Sequence, residues 1–256
     1  MCSDPDSRPP VEPADDSASG RPIGLIAGDG DRFAAYEATP LQPSGSGVIV
    51  LPDYHGLTGF YRELALRFAE AGFDALAIDY YGRTAEPPPR APDFDHRAHA
   101  QRTTWAGLQA DIKAAAAHLR LRRHVHSLFS VGFCFGGRVS FLLAAVPALG
   151  LSGVVGFYGW PLGPFLNDTP APADLASEMA VPVLAIFGGA DTKIPTEHAE
   201  TFGRALQQAG VTHEVRTYAG APHSFFDRAH EDHAEASAEA WELVRRFLAA
   251  SAAQRT

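Results

Sequence analysis

The segment Ser127-Leu-Phe-Ser-Val-Gly-Phe-Cys-Phe-Gly-Gly-Arg-Val-Ser140 sets one cysteine, Cys134, among glycines at 132, 136 and 137. An apolar run that ends in a glycine-rich turn and continues with helix formers reads as strand, tight turn, helix. A nucleophile on such a turn sits in a strained conformation. Side chains two positions to either side would collide with the neighbouring strand and helix, so those positions must be small. The turn also puts Cys134 at a helix N-terminus, where amide groups and the helix dipole favour a thiolate and make the sulfur open to oxidation. Taken alone, Gly-x-Cys-x-Gly is equally compatible with a buried, inert cysteine.

Two further residues give that cysteine partners. Asp191 lies in Phe187-Gly-Gly-Ala-Asp191-Thr-Lys-Ile-Pro195, and His223 lies in Tyr218-Ala-Gly-Ala-Pro-His223-Ser-Phe225. Each segment follows a strand-like apolar run. Separately, Asp191 suits a turn or helix cap, and His223 is one of 11 histidines. Together they supply an acid and then a histidine, from loops behind later strands, which is the chain order that serves a nucleophile on a strand–turn–helix. In that set His223 holds or returns the thiol proton, Asp191 fixes its tautomer and orientation, and Cys134 attacks a carbonyl to form an acyl-enzyme. The oxyanion needs two donors. One is the amide of Phe135, and the other is expected from Asp53-Tyr54-His55-Gly56, assigned to the amide of Tyr54.

Positioning these residues takes an ordered frame. The runs Gly47–Pro52, Phe73–Asp79, Ser127–Phe133, Gly153–Tyr158, Val181–Gly188 and His213–Tyr218 are the main predicted strands, with one or two antiparallel strands within Ile23–Ala38. Most are apolar almost throughout, as strands covered on both faces should be. Trp105, Leu108, Ile112, Ala116 and Leu119 recur at helical steps, as do Phe60, Leu64 and Phe68, and Trp241, Val244 and Leu248. Strands alternating with amphipathic helices predict an α/β fold, a mostly parallel twisted sheet with helices on both faces. Gly82–Arg97 and Gly159–Pro172 are long irregular stretches behind strand ends, the edge of an open sheet where ligands bind. Tyr54, His55, Tyr81, Phe157, Tyr158 and Trp160 gather at the same edge, which predicts an aromatic-lined pocket.

The bulk properties narrow the classes. A 256-residue chain with 46% hydrophobic residues can bury one sizeable core. Its net charge of −9, from 21 Lys+Arg against 30 Asp+Glu, argues against a nucleic-acid partner on electrostatic grounds. Two cysteines, Cys2 and Cys134, build neither a disulfide framework nor a metal cluster. With no signal peptide and no apolar run long enough to span a bilayer, a cytoplasmic location is expected. Residues 1–20, rich in Asp, Pro and Ser, read as a disordered tail whose deletion should cost nothing, with residues 21–256 forming the domain. No dimerisation stripe is evident, so a monomer or small homo-oligomer is expected.

Four motifs carry a more specific likeness: Val50-Leu-Pro-Asp-Tyr-His-Gly56, Ala77-Ile-Asp-Tyr-Tyr-Gly-Arg83, Gly132-Phe-Cys-Phe-Gly-Gly137, and Gly188-Gly-Ala-Asp191 with Gly220-Ala-Pro-His-Ser-Phe225. From about Ile23 onward the chain resembles the dienelactone hydrolase family. The resemblance implies an α/β-hydrolase fold without a large lid domain, no metal or organic cofactor, and cleavage of a small ester or lactone such as a dienelactone. It also implies a carboxylate beside the oxyanion loop that takes the thiol proton. Asp53 stands there, one methylene shorter than the family's usual glutamate, which leaves either Asp53 or His223 to activate Cys134. Two arginines are implied to hold a substrate carboxylate, a task that suits a guanidinium. One would be Arg97 or Arg102. The other falls at Asp227, with Arg228 one residue further on, and Tyr81, Tyr158 and Trp160 complete the implied substrate contacts. Two other readings stay open: a thioesterase or other small-ester hydrolase using the same residues, and a non-catalytic protein that binds a ligand or senses oxidants through Cys134.

Overall fold

The computed structural model describes residues 8–13 and 17–253. Its strands are β1 (Ala18–Ile26), β2 (Arg32–Pro40), β3 (Ser46–Leu51), β4 (Asp74–Ile78), β5 (Ser127–Phe133), β6 (Gly153–Phe157), β7 (Val183–Gly188) and β8 (His213–Tyr218). Its helices are α1 (Gly59–Glu70), α2 (His96–Arg102), α3 (Trp105–Arg123), α4 (Phe135–Leu143), α5 (Thr196–Gln208) and α6 (Ala234–Ala253), with short 3₁₀ segments at Pro147–Leu149 and Pro172–Glu178. The eight strands form one sheet in the order β1-β2-β4-β3-β5-β6-β7-β8. β1, β2 and β4 pair antiparallel, and every pairing from β4 to β8 across the sheet is parallel.

Burial explains which strands were legible. Every residue of β3, β4, β5, β6 and β7 is buried, so each is apolar or small on both faces, apart from Asp74 at the start of β4, which pairs with Arg123 at 2.7 Å. The edge strands β1 and β8 alternate, and β1 (ASGRPIGLI) is exposed over much of its length. That is why Ala18–Gly20, expected to belong to a tail, instead open β1 by pairing with Pro40, Thr39 and Ala38. Further upstream, Pro9 is buried and Val11 packs against the core, so part of the expected tail lies on the domain; the rest of it falls outside the described residues.

Right-handed crossovers fix the layers. Moving from β3 to β4 reverses the direction taken from β4 through β8, which puts α1 on one face and α3, α4 and α5 on the other. Ring contacts agree: Phe68 of α1 meets Trp241 of α6 at 4.9 Å, and Phe141 of α4 meets Phe202 of α5 at 4.9 Å. Phe60, Leu64 and Phe68 of α1, and Leu108, Ile112, Ala116 and Leu119 of α3, are buried, as their spacing requires. The stretch Gly82–Arg97 is irregular up to Asp95, whose carboxylate accepts from the Ala98 amide at 2.9 Å and starts α2.

Candidate active site

All the predicted reacting groups sit at the C-terminal edge of the parallel strands, behind β3, β5, β7 and β8. Cys134 joins β5 to α4 with φ 51° and ψ −108°, a conformation that strains any residue with a side chain. Its surroundings hold it. The Cys134 amide donates to Phe157 O at 3.0 Å, and the Gly136 amide donates to Pro52 O at 3.1 Å. A Cβ on Gly132 would stand 2.0 Å from Gly136 O, and one on Gly136 would stand 2.1 Å from Leu51 O. Glycine at both positions is therefore a packing requirement of the turn. Phe135 opens α4, and the first amides of a helix have no partner within it.

Asp191 and His223, 32 residues apart, meet as the sequence predicts. Asp191 Oδ2 lies 2.7 Å from His223 Nδ1, while Oδ1 accepts from the amides of Lys193 at 2.8 Å and Ile194 at 3.1 Å. An ionised carboxylate can only accept, so Nδ1 donates to it, and Nε2 is the nitrogen left to exchange a proton. Nε2 is buried and has no hydrogen-bond partner. This is an imidazole poised to take a proton.

The thiol departs from expectation. Burial first, then the Asp53 and Asp227 carboxylates, push Cys134 up to about 12, against weaker opposition from Lys193 and Arg228. The helix N-terminus does not deliver a resting thiolate here, because desolvation and two nearby negative charges act the other way.

Asp53 is positioned by aromatic hydroxyls on either side of its loop. Its amide donates to Tyr61 Oη at 3.0 Å, and Tyr80 Oη donates to Pro52 O at 2.8 Å. Its carboxylate accepts from the His55 amide at 2.8 Å and from Arg228 Nη2 at 2.5 Å, and Oδ2 lies 2.9 Å from His55 Nδ1. Burial raises its pKa, but His55 and Arg228 outweigh burial and hold it below the usual carboxylate range. A carboxylate held by a guanidinium and an imidazole is a weak proton acceptor, contrary to the thiol-activating part expected of it. Arg228 does turn inward, as a substrate-binding arginine would, yet its partner is Asp53. Asp227 is buried as well. Burial and Asp53 lift it to about 6, with Arg228 opposing, and its Oδ1 accepts from the Arg228 amide at 2.7 Å.

The remaining predicted contacts divide. Arg97 lines a cavity of about 670 Å³ beside the site, together with Tyr54, His55, Phe94 and His96. Arg102 lies on α2 beside His99 and donates to Thr84 O at 2.9 Å, so it serves the loop. Tyr81 is buried and its hydroxyl donates to Tyr54 O, tying the loop behind β4 to the Asp53–Gly56 turn. Tyr158 packs on His223 with ring centroids 5.0 Å apart, and Trp160 packs on Phe165 at 5.6 Å.

Several site-building residues escaped sequence reasoning. Arg90 forms a two-pronged pair with Asp79 at 2.9 and 2.8 Å, and its guanidinium lies 4.9 Å from the centre of Phe94. Arg138 is fully buried. It donates to Trp160 O, Gly163 O, Thr169 O and Pro170 O at 2.8–2.9 Å, and to Thr169 Oγ1 at 3.1 Å. It thereby fastens the whole irregular stretch behind β6 to the helix that follows the elbow.

A nucleophile elbow behind the fifth strand of such a sheet, with an acid–histidine pair from loops behind β7 and β8, defines the chain as an α/β-hydrolase. The model of the dienelactone hydrolase family matches residues 33–252, and the chain belongs to that family. A protein of Escherichia coli O157:H7 named "Putative carboxymethylenebutenolidase" is 33% identical over 233 residues, 86% of this chain and 83% of that protein. A Bradyrhizobium protein named "Probable 2-oxo-3-(5-oxofuran-2-ylidene)propanoate lactonase" is 29% identical over 233 residues, 87% of this chain and 91% of that protein. The crystal structure titled as a putative dienelactone hydrolase from Klebsiella pneumoniae subsp. pneumoniae MGH 78578 superposes with a TM-score of 0.78 at 27% identity, covering 91% of this chain and 99% of that one. Among the described residues no helix is long and apolar enough to cross a membrane.

Proposed function

We propose that this enzyme hydrolyses a small, uncharged ester or lactone through an acyl-enzyme on Cys134. The observation that carries the reading is the part-buried Asp191–His223 pair at 2.7 Å, with Nε2 unpartnered, at the same sheet edge as a strained Cys134. The thiol rests protonated. As it attacks the carbonyl carbon, its proton passes to His223 Nε2, and the amides of Phe135 and Tyr54 take the oxyanion. The carbon–oxygen bond to the leaving group then breaks, and that oxygen takes the proton from Nε2. Water, deprotonated by the same nitrogen, hydrolyses the thioester to a carboxylic acid and returns the thiol. In a lactone the released hydroxyl stays on the product.

His223 is the base in this scheme because Asp53 is already occupied by Arg228 and His55. An uncharged substrate is favoured because the Asp53 and Asp227 carboxylates both oppose negative charge at the thiol, and Arg228, the guanidinium that acts against them, is paired with Asp53. A panel of activated esters and lactones, with and without a carboxylate, tests the reading. Wild-type protein should turn over the neutral members and lose at least a thousandfold on Cys134→Ala. Equal rates in the two proteins would show that Cys134 is not the nucleophile.

A further inference from the structure

Tyr158, the residue that follows β6, combines three features that the scheme above does not use. Its φ is 37°, in the left-handed region that bulky residues rarely enter, and its amide donates to Ile186 O at 2.6 Å. Backbone strain of this kind persists where the surroundings over-determine it, and it clusters at functional sites. Its side chain is fully buried, yet its hydroxyl has no hydrogen-bond partner. A buried hydroxyl left unpaired costs stability that a phenylalanine at the same place would not. Its ring packs against His223 at 5.0 Å, which places the group at the reacting centre.

The sheet order places the residue relative to the reacting groups. β6 lies beside β5 on the side away from β3, so Tyr158 flanks Cys134 opposite the Asp53–Gly56 turn. The carbonyl oxygen, drawn toward that turn and the Phe135 amide, is therefore already provided for. Burial and the neighbouring Asp227 hold the phenol pKa well above its ordinary value, so the group stays an O–H donor throughout the working pH range. A negatively charged acceptor at this point would meet Asp227. A neutral oxygen would not.

We infer that the Tyr158 hydroxyl selects substrates that carry a neutral oxygen acceptor, an ether, hydroxyl or carbonyl oxygen, adjoining the scissile ester. The inference deepens the hydrolytic reading and rests on it. A site whose buried donor expects an acceptor rejects the analogue that lacks one, because the donor is then left unpaired in the complex.

The test uses pairs that differ by oxygen for methylene: methoxyacetyl against butyryl esters of one alcohol, and 2-methoxyethyl against butyl esters of one acid. The ratio of kcat/KM within each pair is compared between wild type and Tyr158→Phe, so that intrinsic reactivity cancels. In at least one pair the preference for the oxygenated member should fall about tenfold in the variant. Ratios within twofold of wild type in both pairs would overturn the inference. Binding of the same pairs to Cys134→Ala and to Cys134→Ala/Tyr158→Phe, followed by calorimetry, gives a readout independent of turnover. A tenfold affinity difference that disappears with the hydroxyl supports the assignment even if catalysis proves independent of Cys134, which would sink the hydrolytic reading alone. Thermal melting of Tyr158→Phe should match or exceed wild type, and a collapse would assign the residue to folding instead.

Discussion

Replacing Asp227 by asparagine removes one negative charge beside the thiol without changing the shape of the side chain. Asp227 is buried and lifted from 3.8 to about 6, so roughly nine in ten copies are ionised at pH 7. It is one of the two carboxylates that, with burial, push the Cys134 thiol to about 12. Removing one of the two like charges lowers the thiol by roughly one pKa unit, which multiplies the thiolate fraction about tenfold. Alkylation of Cys134 by iodoacetamide at pH 7 should accelerate by that factor. Stability supplies a second readout with a definite sign. A carboxyl whose folded pKa is raised favours the fold fully below pH 3.8, and that contribution is lost as pH climbs through 6. The loss, about 3 kcal/mol, is absent in the asparagine variant. Urea unfolding should therefore show equal stability for the two proteins near pH 3.5, and a more stable variant at pH 7.5. An unchanged alkylation rate together with parallel stability profiles would refute the placement of Asp227 beside the thiol.

Three further outcomes follow from the same contacts. Gly132→Ala puts a Cβ 2.0 Å from Gly136 O, and the shift needed at the elbow should cost about a hundredfold in kcat/KM and a clear drop in melting temperature. Asp191→Asn leaves the loop amides an acceptor but removes the charge that orients the imidazole, so kcat should fall by about a thousandfold or more with little change in KM, measured under saturating ester. Arg138→Met takes the shared donor from four loop carbonyls and leaves the buried Thr169 O unpaired, and should lower unfolding free energy by about 3–5 kcal/mol and speed proteolysis within residues 159–172.

How far the site was legible depends on whether each residue's signal is local. Cys134, Asp191 and His223 sit in turn sequences whose glycines and prolines announce strand ends; β6 and β7 between them are apolar because both faces are covered, and the edge strand β8 alternates. β5 and β8 match their expected ranges residue for residue, and β3, β4, β6 and β7 differ by one or two at an end. β1 was cut short because an exposed edge strand carries little apolar signal. The Arg228–Asp53 pair joins residues 175 positions apart, and nothing in either neighbourhood announces it. Arg138 has the same difficulty in another form: on a helix, an arginine reads as surface, and only the carbonyls of a distant loop make it core. The thiol's environment is not legible in the same way, because helix position is visible in sequence, whereas desolvation and the charges of Asp53 and Asp227 are not.

In the proposed scheme Cys134 carries a covalent acyl group during turnover. Rapid quenching of the enzyme with a neutral activated ester, followed by intact-mass and peptide mass spectrometry, should show one acyl group on the peptide containing Cys134 and none on Cys134→Ala. Turnover by wild type with no acylated Cys134 at any quench time, and undiminished turnover by the variant, would contradict it.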